Sequence, residues 1–299
     1  MRVVASALNH IDLWMTQGMP RPRSFPHVPG SDGAGYVDEL GEGVTRWSVG
    51  DPVVISTAIT SDEADDRLGI DSPFDPSLQL LGEHRWGAHG ERVVVPERAL
   101  VAKPTCLSWS QAASYPCAYT TAWRMLRRGR LRPNERVLIT GIGGGVALAA
   151  LHLAKAQGAQ VVVSSRDADK CERALKLGAD EAVQFEEVVQ PGVDLVIDSI
   201  GSAIWKTATK SMKPGARFVT CGGSSGPKLE VSLPQLFFKQ FELIGSTLGS
   251  YQEFEQVTEH IAHGVEVPVA SEFAFEDYLA ALEFLRESRQ FGKVVLTRS

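Results

Sequence analysis

The stretch Val137-Leu-Ile-Thr-Gly-Ile-Gly-Gly-Gly-Val-Ala147 restricts this chain more than any other. An apolar strand, Arg136–Thr140, runs into a glycine cluster, and helical periodicity follows from Val146 to Gln157, closed by Gly158. Glycines at such a turn let the backbone approach a pyrophosphate without side-chain clash. The open N–H groups at the helix start then bind its charge. A lone GxGxxG is a weak signal. Here a second strand, Val161–Ser164, and a second helix, Asp169–Leu177 closed by Gly178, give it the context it needs. The sixth place of a literal GxGxxG is Val146; shifted by one residue, Gly141, Gly144 and Ala147 fill the three small positions. The bland alternative is a glycine turn in an α/β protein with another ligand.

Strand–helix alternation continues through Val193–Ser199 and Arg217–Cys221, which predicts an α/β fold with a doubly wound parallel sheet of the Rossmann type. Helices are expected over Ser108–Ala113, with Ser108 as N-cap, and Thr121–Arg128. Earlier residues differ: short β-branched runs (Gly35–Val37, Asp51–Ser56, Glu91–Pro96) alternate with glycine and proline turns, which predicts an irregular antiparallel β domain. Ser61–Pro76 is rich in acids and is expected as an exposed lobe. After Leu248 the pattern gives helices at Tyr251–His263 and Phe275–Ser288, then a strand at Lys293–Leu296.

A chain of 299 residues suits about two domains, and 43% hydrophobic residues suffice for a large core without disulfide or metal staples. A net charge of −6 without basic runs argues against nucleic acid or an anionic membrane as the main partner. No apolar stretch reaches bilayer length, and Met1–His10 lacks a signal-peptide pattern. Cys106, Cys117, Cys171 and Cys221 form no CxxC pair, so reduced thiols and a cytoplasmic location are expected.

The end of the second Rossmann strand selects the dinucleotide. An acid there would bond the adenosine ribose of NAD and repel the 2′-phosphate of NADP. This chain has Ser164-Ser165-Arg166, a hydroxyl and a guanidinium suited to a phosphomonoester, with Lys170 as a second positive charge. NADP(H) is the expected cofactor. Asp167 serving NAD, and Arg166 as a plain solvated side chain, stay open.

Several segments together resemble the medium-chain dehydrogenase/reductases, on the side of the quinone oxidoreductases and zinc-independent alcohol-dehydrogenase-like proteins. They are Ala7–Trp14, Val28–Gly35, Gly41–Val44 with Gly50-Asp51, Pro116–Trp123, the glycine loop, Val196–Gly201 and Phe291–Leu296. The resemblance spans essentially the whole chain. It implies a β-rich GroES-like catalytic domain made by both chain ends (1–117 and 249–299), with an NADP-binding Rossmann domain over 118–248. It also implies a cofactor cleft where the domains meet and a homodimer joined through the Rossmann sheet edge. Further residues ahead of the position of Met1, forming the first strands of the catalytic domain, are expected from the family and not found here.

By motif, the resemblance puts Gly144, Gly145 and Val146 at the pyrophosphate and Ser165, Arg166 and Lys170 around the 2′-phosphate. Phe185 falls near the adenine, Thr121 along the cofactor, and Gly222 and Leu248 near the nicotinamide half. Asn9 and Asp12 match an N-x-x-D pair bordering the nicotinamide. Trp14 stands where quinone reductases often carry Tyr.

No metal is expected. The places of the catalytic zinc ligands match Asn9, Ser31 and Pro116, with Cys117 one place off, and the acidic stretch after Ser56 has no cysteine for a structural zinc. His84 with His89, and His260 with His263, are read as surface or packing histidines. Without a Lewis acid, hydride transfer to a conjugated enone or quinone fits best, because hydrogen bonds can hold the delocalised enolate. Asn9 would donate to the carbonyl oxygen; His10, Tyr119 or water would supply the proton, and Asp12 would orient its neighbours. Trp14, Trp86, Tyr119 and Trp123 either line an apolar pocket for a small carbonyl or quinone substrate or pack in the core, the expectation for Trp86 and Trp123. Two alternatives stand beside this reading: a zinc-free alcohol dehydrogenase or ketone reductase, and an NADPH-binding protein with little turnover.

Overall fold

The computed structural model describes residues 1–298, which divide into two compact units: 1–120 with 248–298, and 121–247. The first unit opens with β1 (Arg2–Ala7), whose last residues are buried, and α1 (His10–Thr16). Then come β2 (Asp32–Tyr36), β3 (Pro52–Ile55), β4 (Ala58–Ile59), α2 (Asp62–Leu68), β5 (Gln79–Leu80) and β6 (Leu100–Ala102). The acidic lobe is therefore ordered, with α2, a 3-10 turn over Gly69–Phe74 and the β4–β5 pair. Capping residue Ser108 starts α3 (Trp109–Ser114), its hydroxyl accepting from Gln111 N–H at 3.1 Å. A further helix, α4, spans Pro116–Arg128.

In the second unit every strand is parallel. Its strands are β7 (Arg136–Thr140), β8 (Gln160–Ser165), β9 (Glu181–Gln184), β10 (Val193–Asp198), β11 (Met212–Thr220) and β12 (Glu242–Gly245), in the order β12-β11-β10-β7-β8-β9. Helices α5 (Gly145–Ala156), α6 (Ala168–Lys176), α7 (Ser202–Ser211) and α8 (Leu233–Phe238) connect them. Buried Leu138 of β7, Val162 of β8 and Val196 of β10 pack with Trp205, Phe218 and Phe241. The strand order reverses direction between β7 and β10, the place where such sheets bind ligands at their carboxyl ends.

The chain then returns to the first unit with α9 (Tyr251–Ala262), β13 (Val269–Ala274), α10 (Tyr278–Arg286) and β14 (Lys293–Thr297). One six-stranded sheet, in the order β13-β14-β1-β2-β3-β6, joins the two chain ends; it is antiparallel except for the parallel pair β13–β14. The expected strand over Glu91–Pro96 is not one. Its backbone meets the start of the chain in three bonds, Val3 N–H to Glu91 O, Val93 N–H to Met1 O and the Met1 amino group to Val93 O, and in a single Arg2–Arg92 bridge. Pro96 has no N–H to extend the pairing, and Val94 lies 85% exposed with no apolar face to join. Trp86 is likewise no core residue, being 55% exposed; Trp123 is partly buried.

Backbone-to-backbone packing fixes the start of β2. The segment 82–89 lies on Pro29 and Gly30, with Gly87 N–H on Val28 O at 2.7 Å, Ala88 N–H on Gly30 O at 2.9 Å and His89 N–H on Pro29 O at 2.9 Å. A Cβ on Gly87 would stand 2.3 Å from Gly30 O and 2.5 Å from Pro29 O. Gly87→Ala must therefore push one backbone segment away from the other, and we expect a loss of more than about 2 kcal/mol in denaturant unfolding. Gly18→Ala, whose Cβ meets nothing within 4 Å at a φ of +82°, serves as the comparison at about 1 kcal/mol. Equal losses would contradict the packing argument.

Candidate functional site

In the second unit the glycine loop has the form a dinucleotide needs. Gly141 and Gly143 take φ values of +68° and +116°, and Gly144 is the N-cap of α5 with no side-chain hydrogen bond to the helix. The N–H groups that open α5 at Gly145 and Val146 are thus left without a side-chain cap. A Cβ on Gly143 would stand 2.8 Å from Lys170 Cδ, so the aliphatic stem of Lys170 lies across the loop. This contact joins the loop to the end of β8. There Ser165 Oγ accepts from Asp167 N–H at 3.1 Å, and the Arg166 guanidinium stands 6.0 Å from the centre of the Phe185 ring. Asp167 caps α6, with one carboxylate oxygen accepting from Asp169 N–H at 3.0 Å and Lys170 N–H at 3.3 Å. Desolvation holds the Lys170 pKa below its ordinary value, Asp167 opposes this, and Arg173 and Arg166 add to it. The structure thus brings together Gly143, Ser165, Arg166, Lys170 and Phe185. A dinucleotide phosphate fits this uncapped helix start beside two cations.

At the strand reversal stands Asp198, a carboxylate with no exposed surface. One of its oxygens accepts from Thr140 Oγ1 at 2.7 Å and Ile200 N–H at 3.1 Å, the other from Gly201 N–H and Thr220 Oγ1, both at 3.0 Å. Burial raises its pKa, and these bonds oppose the rise. Asp198 ties the ends of β7, β10 and β11 together, and with them the approach to the glycine loop and to Gly222. A Cβ on Gly222 would stand 2.5 Å from Ser199 O, so the backbone there has no room for a side chain. Thr121 is buried on α4, and Leu248, at the other boundary, takes a φ of +43°.

The first unit carries a buried polar cluster. Asn9 is the N-cap of α1, but Asp12 reaches back to bond the Asn9 backbone N–H at 2.7 Å. The Asn9 side chain has further partners. Its Nδ2 donates to Asp32 Oδ2 at 2.9 Å, and its Oδ1 accepts from Lys293 Nζ at 2.6 Å. Lys293 Nζ also bonds Asp32 Oδ2 at 2.8 Å. The other Asp32 oxygen accepts from Cys117 N–H at 2.7 Å and Thr57 Oγ1 at 3.3 Å. Asp12 Oδ1 lies 3.6 Å from His89 Nε2, and neither atom has a hydrogen bond of its own. His89 Nδ1 pairs with Ser6 Oγ at 2.9 Å.

Two titrating groups around this cluster are displaced. Burial first, then Asp32, pushes the Cys117 thiol up to about 12, against the opposing pull of Lys293 and Thr57. His10 is held below its ordinary value by desolvation, then by the Lys293 charge, with Asp12 opposing; part of its surface stays exposed. Its imidazole is neutral at neutral pH.

Tyr119 must be corrected as a proton donor. It is 2% exposed, its hydroxyl donates to the backbone carbonyl of Glu266, and burial raises the phenol pKa far above its ordinary value. Asn9 and Asp12 do come together, whereas Asp32, Lys293 and Thr57 were missed. Asp32 and Lys293 lie inside Val28–Gly35 and Phe291–Leu296, segments singled out by resemblance, but no sequence pattern states that they meet. Cys117 was set aside as one place off, yet its backbone bonds the central carboxylate. The histidine pairs have separate duties: His84 Nδ1 accepts from Leu80 N–H, His89 bonds Ser6, and His263 Nδ1 pairs with Glu259 O. Among the described residues no group of three or more His, Cys, Asp or Glu could hold a metal ion, and no helix is long and apolar enough to cross a membrane.

Comparison with known proteins gives the family. Residues 1–105 match the alcohol dehydrogenase GroES-like domain and residues 145–263 the zinc-binding dehydrogenase family. A zinc-type alcohol dehydrogenase-like protein of Schizosaccharomyces pombe is 32% identical over 99% of this chain and 89% of its own length. An acryloyl-coenzyme A reductase of Metallosphaera sedula is 30% identical over 99% and 91%. The crystal structure of an NAD-dependent alcohol dehydrogenase superposes with a TM-score of 0.93 at 34% identity, covering 99% of this chain and 90% of that one. With a GroES-like β unit, a Rossmann unit and relatives of this extent, the chain belongs to the medium-chain dehydrogenase/reductase superfamily.

Proposed function

We propose that this chain is an NADP(H)-dependent, zinc-independent oxidoreductase that passes hydride to the β-carbon of a quinone or α,β-unsaturated carbonyl. The observation that carries the reading is the fixed amide of Asn9. Lys293 can only donate and the Asp32 carboxylate only accept, so the amide oxygen faces Lys293 and one N–H faces Asp32. The second N–H remains for a substrate carbonyl oxygen. Bound NADPH supplies the hydride and is left as NADP+. As the C–H bond forms at the β-carbon, the electrons of the C=C bond move toward the carbonyl and charge collects on its oxygen. An N–H held there bonds the enolate more strongly than the ketone, which lowers the barrier. Water protonates the α-carbon, since Tyr119 is committed elsewhere and His10 is neutral near pH 7. Asp12 orients Asn9 through its backbone.

Zinc finds poor donors in this cluster. The Asn9 oxygen and both Asp32 oxygens are already bonded, and an ammonium stands among them. The acryloyl-coenzyme A reductase relative supports reduction of a conjugated C=C bond, and the alcohol dehydrogenase relatives favour carbonyl reduction as the second reading.

The choice of NADP over NAD rests on Asp167. Its carboxylate is occupied as the cap of α6, while Arg166 and Lys170 flank Ser165. A homodimer through the β12 sheet edge fits the apolar groups exposed beside it on α8, where Phe237 is 61% and Phe238 78% exposed.

The test is to incubate the protein with NADPH and a simple conjugated enone and identify the product by mass and NMR. A saturated ketone is expected; an allylic alcohol would transfer the assignment to carbonyl reduction, and no product would leave a binding protein. Removing one charge-assisted contact to a phosphate costs about 1.5–3 kcal/mol. Arg166→Ala should therefore raise the KM for NADPH roughly tenfold or more and leave that for NADH nearly unchanged. Equal effects on both cofactors would contradict the 2′-phosphate assignment.

A further inference from the structure

Lys293 is a lysine 5% exposed, far from the glycine loop in sequence, and its ammonium has no role in the reading above beyond orienting Asn9. We propose that Lys293 is a positioning and polarising residue that delivers positive charge to the substrate carbonyl through the amide of Asn9. The inference rests on the proposed contact between Asn9 and the substrate oxygen.

Hydrogen bonds in a chain polarise one another. An ammonium on the oxygen of an amide draws electron density along O=C–N and makes the N–H on the far side a stronger donor. Lys293 Nζ stands 2.6 Å from Asn9 Oδ1. Both groups are held by one carboxylate, with Asp32 Oδ2 2.8 Å from Nζ and 2.9 Å from Nδ2, so the amide cannot rotate without breaking two bonds. Coulomb interactions inside protein exceed those in water because the effective dielectric is lower.

Placement in the fold supports the role. Lys293 opens β14, and Asn9 follows directly on β1 after Leu8; these strands pair antiparallel, with Ala7 opposite Val295 and Leu8 N–H on Val294 O at 2.9 Å. Asp32 opens β2 on the other side of β1, opposite Ala7. The ammonium and the carboxylate are therefore set by sheet register on the two strands that flank β1, and the amide by the α1 N-cap two residues past the end of β1. A metal would polarise a carbonyl by direct contact; here the cation acts one amide away, so its effect is smaller and matters most for an acceptor that is weakly electrophilic by itself.

The experiment compares wild type with Asn9→Ala, Lys293→Gln and Lys293→Arg, each as the full chain with NADPH. The acceptors are a weakly activated enone such as 2-cyclohexenone and a strongly electrophilic para-quinone. Lys293→Gln keeps a donor for Asn9 and removes the charge. It should lower kcat with the enone roughly tenfold, lower kcat with the quinone much less, and leave the KM for NADPH unchanged. Lys293→Arg should restore most of the enone rate. Equal losses on both acceptors, or an arginine variant no better than glutamine, would overturn the polarising role and leave a structural one. Should the glutamine variant not fold, Lys293→Gln with Asp32→Asn removes the buried charges in balance, and the same acceptor-dependent loss is expected. If Asn9→Ala loses no activity on either acceptor, the underlying placement of the substrate oxygen fails. If Asn9→Ala loses activity and Lys293→Gln does not, only the role of Lys293 fails.

Discussion

Asp32 is a carboxylate with no exposed surface, and a charge so placed persists only if its oxygens are answered. They are answered by Asn9, Lys293, Cys117 N–H and Thr57, drawn from the end of β1, the start of β14, the start of α4 and the turn after β3. No other feature described in the first unit ties so many distant stretches of chain together. Removing one partner of a buried ion pair typically costs about 3–5 kcal/mol, because the other charge is left alone. The pair is therefore a constraint on the sheet as much as a feature of a site. It also fixes which way the Asn9 amide faces, and every chemical role assigned to Asn9 follows from that orientation.

The second unit solves a related problem with the opposite sign. On the proposed reading a dinucleotide brings phosphate charge, and an uncapped helix start, Arg166 and Lys170 would meet it. Asp198, buried among Thr140, Thr220 and two backbone N–H groups, holds the strand ends from which that surface is built. In both units a buried carboxylate ties separate stretches of backbone together. The two differ in their counter-charge: Asp198 is answered by neutral donors, and burial raises its pKa, whereas Asp32 has an ammonium among its partners.

Much of this was legible in the sequence where period and punctuation coincide. The strand Arg136–Thr140 and the capping serine of α3 fall where the residues predicted them, and the helix after the glycines differs by a residue at either end. Strands β9 and β12 were missed because each is four residues long and lacks an apolar run: Glu181–Gln184 and Glu242–Gly245 both carry polar residues. The helix α1 was missed because Asn9-His-Ile-Asp12 reads as a motif, while its capping role appears only when Asp12 is seen to bond back. The contact between Asp32 and Lys293 spans most of the chain and obeys no local period, so only tertiary structure reveals it. Tyr119 was misjudged for the same reason: an aromatic hydroxyl beside a motif looks available until its partner, the Glu266 carbonyl, is located.

The central claim is that the cation answering Asp32 is the ammonium of Lys293 and that turnover does not depend on a metal. The most direct measurement is the metal content of the purified active chain by mass spectrometry, paired with its NADPH-dependent turnover of an enone before and after dialysis against a strong chelator. The account predicts far less than one zinc per chain and unchanged turnover. One zinc per chain, with activity lost on stripping and regained on adding zinc, would contradict it.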